Sequence, residues 1–143
     1  MSERGSRGKF AEKEVEKVLE QYNRTHLNFA YHRLPDARSA RNFLKAQPAD
    51  FMYWWDGVGG FIEVKETKHS SRLAKDKISQ MPTLKKFAMA GARSCVIVFH
   101  STLQKWRIAP LSFFVDEVPS WDLSPLPTFD SAEEALKSCQ WRF

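Results

Sequence analysis

The chain has 143 residues, 43% of them hydrophobic and 27% charged, which is the size and balance of one domain with its own core rather than a disordered chain. No run approaches the roughly 20 apolar residues of a bilayer helix, and no apolar stretch follows the charged start as a secretory leader requires, so the expectation is a cytoplasmic protein without a membrane partner. The net charge of +5 divides into +9 over residues 1–110 and −4 over residues 111–143, so the body of the chain suits a polyanionic partner such as nucleic acid.

Val15, Val18, Leu19 and Tyr22 recur at helical spacing and predict an amphipathic helix over about residues 10–22. Around its axis Glu12 falls nearest the apolar stripe, whereas Glu14, Glu16 and Glu20 point further into solvent. Residues 27–34 are rich in aromatics and suit a strand, ended by Pro35-Asp36 and followed by a basic loop to about Gln47. Two strand-like runs, 50–55 and 61–66, are joined by Asp56-Gly57-Val58-Gly59-Gly60, whose glycines mark a tight reversal. Ile78, Met81, Leu84, Ala88 and Met89 predict a helix over about 76–90; Pro82 in a first turn moves its start towards Ser79, and Gly91 stops it. The apolar run 94–100 reads as a strand buried on both faces, and 105–109 as a shorter one closed by Pro110. A tail rich in Pro, Trp and Phe ends in a short helix, capped from Asp130-Ser131-Ala132-Glu133 and running to about Ser138. Helix, three strands, helix and two strands make an α/β protein, a central mixed β-sheet flanked by helices. Cys95 and Cys139 have neither the density of a disulfide scaffold nor the spacing of a zinc site and are expected to be reduced.

In Phe61-Ile62-Glu63-Val64-Lys65-Glu66 the strand period sends Ile62 and Val64 to the core and lets Glu63 and Lys65 emerge together on the other face. Asp50, set by Pro48-Ala49 on the partner strand, brings a second carboxylate to the same mouth. Two carboxylates are the usual protein share of a Mg²⁺ site, because this ion prefers hard oxygen ligands and keeps waters that a substrate phosphate can displace. Asp50 and Glu63 are therefore the predicted metal-ligand pair; the alternative is an exposed Glu63–Lys65 pair on an edge strand. Glu12, the glutamate best placed to face other parts of the fold, is offered by the preceding helix, with a solvated acid at a helix start as its alternative. Basic residues flank this motif, and the predicted phosphate contacts are Arg7, Lys9, Arg33, Arg38, Arg41, Lys68, Arg72 and Lys75. Trp54 and Trp55 suit core or dimer contacts better than stacking on unpaired bases. His32 and His69 lie near charged segments but are read as ordinary residues rather than catalytic ones.

With these pieces in place the chain resembles the PD-(D/E)xK nuclease superfamily, and within it the Holliday junction resolvases of the RecU and archaeal Hjc types. Arg7-Gly8-Lys9-Phe10-Ala11-Glu12 is similar to the start of their first helix, Pro48-Ala49-Asp50-Phe51 to the acidic motif, and Glu63-Val64-Lys65-Glu66-Thr67-Lys68 to the extended Glu-x-Lys signature. Gln80 resembles a glutamine of the helix after the motif, and Lys105-Trp106-Arg107-Ile108 the late strand of the archaeal enzymes. The resemblance implies a restriction-endonuclease-like core over about residues 7–110 of a single domain, with an acidic C-terminal extension over 111–143. It implies hydrolysis of DNA phosphodiesters at four-way junctions, in recombination and repair, with Glu12, Asp50 and Glu63 around one or two Mg²⁺ ions, for which Mn²⁺ would substitute. Lys65 would orient or deprotonate the attacking water or stabilise the transition state. Gln80 would contact the nucleophile or a phosphate, with a capping or solvent-facing role as the alternative. Paired cuts in two strands imply a two-fold homodimer with DNA as its partner.

The chain departs from the family in having Pro-Ala-Asp for Pro-Asp, in being shorter than RecU proteins, and in lacking a recognisable stalk; a compact phage-encoded form fits that length. Two alternatives keep the fold. One changes the substrate and gives a restriction-like, flap-type or mismatch-type endonuclease, and the other is a DNA-binding module without catalysis. An RNA-binding or protein-interaction domain rests only on the basic balance and scattered aromatics.

Overall fold

The structure, a computed structural model, describes residues 3–35 and 47–139, with side chains from residue 9 onward. Helix α1 (Glu3–Thr25) carries the expected stripe, Val15, Val18, Leu19 and Tyr22, all buried together with Ala11, and starts earlier than the apolar pattern because the sequence of residues 3–9 contains no apolar type to signal it. Strands β1 (Phe29–Arg33), β2 (Phe51–Trp55) and β3 (Val58–Thr67) form an antiparallel meander. From β3 the chain passes through β4 (Arg72–Ala74), a 3₁₀ turn at Lys75–Lys77 and helix α2 (Met81–Met89) to β5 (Cys95–His100), which pairs parallel to β3. Strand β6 (Lys105–Pro110) adds antiparallel to β5, giving the mixed sheet β1-β2-β3-β5-β6 with β3 at its centre.

The β2–β3 reversal is shorter than the glycine run suggests. Trp55 pairs with Val58, so the loop is Asp56-Gly57 alone, with φ of 52° and 82°; this is the positive-φ pair that matches the twist of a two-residue hairpin. Gly59 and Gly60 lie inside β3 for another reason. A Cβ on Gly60 would stand 1.3 Å from the Arg93 carbonyl oxygen, and one on Gly59 would fall 1.9 Å from the Trp54 ring.

Alternation along β3 and β5 divides the interior in two. Ile62, Val64, Cys95, Ile97 and Phe99 face α1 and helix α3 (Ala132–Ser138), whereas Val96 and Val98 face α2 and a small sheet of β4 with β7 (Ser120–Asp122). Helix α2 starts at Met81 with Pro82 in its first turn, where the missing N–H has no intrahelical partner to lose.

The acidic extension belongs to both cores. Phe114, Trp121 and Leu123 are buried in the second, Ala132, Ala135 and Leu136 in the first, and Trp106 and Phe129 exchange both backbone hydrogen bonds at 2.8 Å. Residue 110 is therefore no structural boundary. Ser131, not Asp130, caps α3: its hydroxyl accepts from the Glu134 N–H at 3.1 Å, while the Glu134 carboxylate accepts from the Asp130 N–H at 3.3 Å. Both cysteines are reduced thiols, Cys95 buried and Cys139 half-buried against the first core.

Candidate active site

Strand β2 starts one residue after Asp50, and the β2–β3 register, continued by one step, sets Asp50 opposite Glu63. Backbone bonds fix that residue from both sides, since its carbonyl accepts from the Leu34 N–H at 2.9 Å and its Oδ2 from the Val64 N–H at 2.8 Å. The Asp50 side chain is thus set on the middle of β3. Glu63 does not emerge into solvent as its strand position suggested. Because β3 is a central strand covered on both faces, Glu63 is only 1% exposed, which excludes the reading as a surface pair on an edge strand. Its Oε1 lies 3.8 Å from the Lys65 ammonium, and its Oε2 has no hydrogen-bond partner among the described residues.

Burial pushes the Glu63 carboxyl well above the usual carboxylate range, and its hydrogen bond with Asp50 and the Asp50 charge act in the same direction, against Lys65. Glu12 reaches the same group from α1. Burial and the Asp50 charge raise it to about 7, opposed by Arg33, and it too shares a hydrogen bond with Asp50. Asp50 therefore stands between two carboxyls whose hold on a proton it strengthens, as crowded carboxylates do in a low dielectric.

The three acids meet pairwise through Asp50 rather than as a finished cage. Among the described residues no group of three or more His, Cys, Asp or Glu is disposed to hold a metal ion. Glu12 is also engaged by Arg33, whose two terminal nitrogens take Glu12 and Glu16, each at 2.8 Å, with its guanidinium 5.7 Å from the Phe51 ring centre. Expected at a phosphate, Arg33 instead holds α1 on β1. Nor do Glu16 and Glu20 point away into solvent, because the Tyr31 hydroxyl donates to Glu20 at 2.8 Å and to Glu16 at 3.5 Å. The Tyr31 and Arg33 side chains lie on one face of β1, two residues apart, and this spacing was the available signal for the pairing.

Gln80 occupies the cap position of α2, half-buried, without a capping hydrogen bond, and its Oε1 accepts from the Ser79 hydroxyl at 3.4 Å. Lys9 and Lys68 are exposed. Arg72 is exposed and donates to the Ser120 hydroxyl at 3.1 Å, while the Lys75 ammonium is engaged by the Asp116 carbonyl. Arg38, Arg41 and the side chain of Arg7 lie outside the described residues. His32 is exposed on β1. His69 is a turn residue: its Nδ1 accepts from the Ser71 and Arg72 N–H groups at 3.2 and 3.1 Å. Trp55 packs edge-on against Phe29 with ring centres 5.4 Å apart, whereas Trp54 is 55% exposed.

Two residues that sequence reading left out position the segment after the motif. His100, fully buried on β5, bonds the His69 carbonyl through Nδ1 at 2.7 Å and accepts from Arg107 through Nε2 at 3.1 Å. Arg107 on β6 also donates to the Ser70 carbonyl at 2.7 Å and the Leu126 carbonyl at 3.2 Å. A buried cation needs such a ring of carbonyls, and here the ring fixes the chain between Lys68 and Arg72.

No protein-family model and no curated protein matches this sequence. The 1.6 Å structure of Hjc, a Holliday junction resolvase from the archaeal hyperthermophile Archaeoglobus fulgidus, is similar over 87% of this chain and 96% of that one, with a TM-score of 0.52 and 20% identity. Five strands in mixed order, α1 and α3 on one face and α2 on the other, give this chain the α/β fold of that Hjc nuclease.

Proposed function

We propose that this chain is a Mg²⁺-dependent DNA endonuclease selective for branched DNA, and that its substrate is the four-way junction. The observation that carries the reading is Glu63, buried on the central strand with one carboxylate oxygen unpartnered, beside the half-buried Asp50 and the Lys65 ammonium. Carboxyls forced together hold protons, and a small dication that replaces those protons relieves both their repulsion and the unsatisfied Glu63 Oε2. The donor set is all oxygen, which suits Mg²⁺ or Mn²⁺ over zinc. Asp50 and Glu63 would hold the ion, with Glu12 as the adjoining third carboxylate.

When bound, the ion supplies an acidified water and neutralises charge on the phosphate oxygens. The chain's own residues do the rest. Asp50, anchored on the Val64 N–H, keeps its carboxylate in register with Glu63. Lys65 places a cation beside the phosphorus while water adds and the phosphodiester P–O bond breaks to a phosphate monoester and a hydroxyl. Glu12 and Arg33 tie α1 to the site, and exposed Lys9, Lys68 and Arg72 provide sequence-blind phosphate contacts. One domain carries one such site, so two symmetric cuts require a homodimer.

Asp50, Glu63 and Lys65 standing together at the middle of the sheet support this reading over a binding module without catalysis, which has no need of all three, and the fold shared with an archaeal junction resolvase is compatible with either. Labelled four-way, flap and linear duplex DNA, incubated with Mg²⁺ or with EDTA, test it. Paired symmetric nicks confined to the four-way junction and absent in EDTA are expected. Equal cutting of all three substrates would overturn the junction selectivity, and tight binding with no cutting in any divalent metal would overturn the catalysis.

A further inference from the structure

On the face of the sheet that carries Asp50, Glu63 and Lys65, the register sets out a second feature. Asp50 stands opposite Glu63, then Met52 opposite Phe61, then Trp54 opposite Gly59. Side chains two residues apart share a face, so this row runs from the carboxylates to the hairpin in about 13 Å at roughly 3.3 Å per residue. Its far end opens into a groove of about 470 Å³, lined by Met52, Trp54, Phe61, Phe87 and Arg93 among others, a size within the range of about 300–1,000 Å³ for small-ligand pockets.

The groove is built around one indole. The ring of Trp54 lies against the bare backbone of Gly59, which has no Cβ to hold it off, and yet the residue remains 55% exposed. One side of the ring is seated and another is open. Phe61 and Phe87 meet at 4.9 Å with their planes 64° apart and wall the groove, and Phe87 is itself 42% exposed. Among the described residues the one charged group lining the groove is Arg93, a cation whose side chain is exposed, and no carboxylate lines it.

We infer that this groove is a subsite for an unpaired nucleobase of the strand whose phosphodiester lies at Asp50 and Glu63, with Trp54 as the stacking platform and Arg93 at the adjoining backbone phosphate. The inference rests on the nuclease reading and adds to it where the strand goes. A planar base offers the open side of an indole a large contact with sequence tolerance, and a polyanion suits a rim with one cation and no acid. Continuity with the carboxylates on a single sheet face favours nucleic acid over a second protein chain. The subsite would also favour branched over fully paired DNA, because only a branch point offers a base free to leave its stack.

The test uses the full chain in EDTA, so that binding is read without cleavage. The probe is a flap oligonucleotide with 2-aminopurine at successive unpaired positions next to the branch. The wild type is expected to quench the fluorophore at one or two of those positions. Trp54→Ala should abolish that quenching and weaken binding by about 5- to 150-fold, the range carried by one stacked base, while Trp54→Phe keeps most of both. Phe87→Ala should show a smaller loss. Trp54 is largely exposed, and far-ultraviolet circular dichroism of each variant checks that it folds. Unchanged quenching and affinity in Trp54→Ala would overturn the subsite and leave the nuclease reading intact. A fall in sedimentation mass from dimer to monomer in Trp54→Ala, with any loss of binding following it, would assign the groove to a second copy and also overturn the subsite. Failure of the wild type to bind any DNA would overturn both.

Discussion

Burying Glu63 beside Asp50 opposes folding, because each carboxyl loses hydration and meets a neighbour of its own kind. Replacing Glu63 by Gln removes that repulsion while keeping shape. The metal-free variant is therefore expected to be more stable than wild type by on the order of 1 kcal/mol, a rise in melting temperature of about 3–5 °C, and to lose Mg²⁺-dependent cleavage. Scanning calorimetry in EDTA with a parallel cleavage assay checks both halves; a variant less stable than wild type would show that the pair helps hold the fold. His100 gives a pH dependence. Burial, with Arg107 adding to it, holds its pKa below the ordinary value near 6.5, against the bond to the His69 carbonyl. In the window below about pH 6.5 the unfolded chain binds a proton that the folded chain refuses, so this residue's share of stability is full above that pH and is lost as the pH falls. The raised Glu12 has the opposite sign, favouring the fold as pH falls from about 7 towards 4.5. Comparing urea midpoints of wild type and His100→Gln between pH 7.5 and 5 isolates the histidine, and the variant is expected to show the shallower acid-side loss. At this scale the sequence revealed Asp50, Glu63 and Lys65 through motif and alternation, but not their burial, since a period of two tells which residues share a face and not what covers it. The role of Arg33 is legible only in part: its spacing from Tyr31 puts both on one face of β1, but not which element's acids that face meets.

Among the elements, the β2–β3 hairpin places the site, and its glycines meet different needs. At Gly57 the backbone is left-handed but a Cβ would meet open space, so Gly57→Ala should cost only the conformational penalty, about 1–2 kcal/mol. At Gly60 a Cβ would overlap the Arg93 carbonyl, backbone that cannot swing aside, and the Arg93 N–H in turn donates to the Gly59 carbonyl at 2.8 Å. Gly60→Ala should therefore cost more than Gly57→Ala, on the order of 3 kcal/mol or above. Urea titration of both variants checks the order, and equal losses would mean that Arg93 can move away from β3. The elements themselves were legible because α1, α2 and the strands obey clean periods of 3.6 and 2. What sequence could not separate was a glycine needed for a turn from one needed for close approach, because Gly57, Gly59 and Gly60 sit in a single run and the second need arises from the Trp54 ring at Gly59 and, at Gly60, from a residue more than thirty positions away.

For the whole molecule, the tail changes sign from the body in charge but not in purpose. Phe114, Trp121, Leu123, Ala135 and Leu136 are at most 3% exposed. At roughly 1.5–3 kcal/mol for each large side chain, the four other than Ala135 carry on the order of 10 kcal/mol, comparable with the whole stability of a domain. A chain ended after Pro110 is thus expected not to fold, as circular dichroism and amide exchange would show, and a cooperative melt from that fragment would contradict a fold resting on two cores. The composition of the tail, acidic and broken by prolines, hid this role: Trp121 and Leu123 lie among polar residues, with no run long enough to announce a strand.

The proposed chemistry turns on the carboxylate pair. The measurement that reaches it most directly is cleavage of a labelled four-way junction by wild type and by Glu63→Gln, side by side in Mg²⁺, with binding of the same junction measured for each. Paired nicks from the wild type, none from the variant and near-equal affinity would place the chemistry at Glu63. Undiminished nicking by a well-folded Glu63→Gln would contradict the site, whatever the fold.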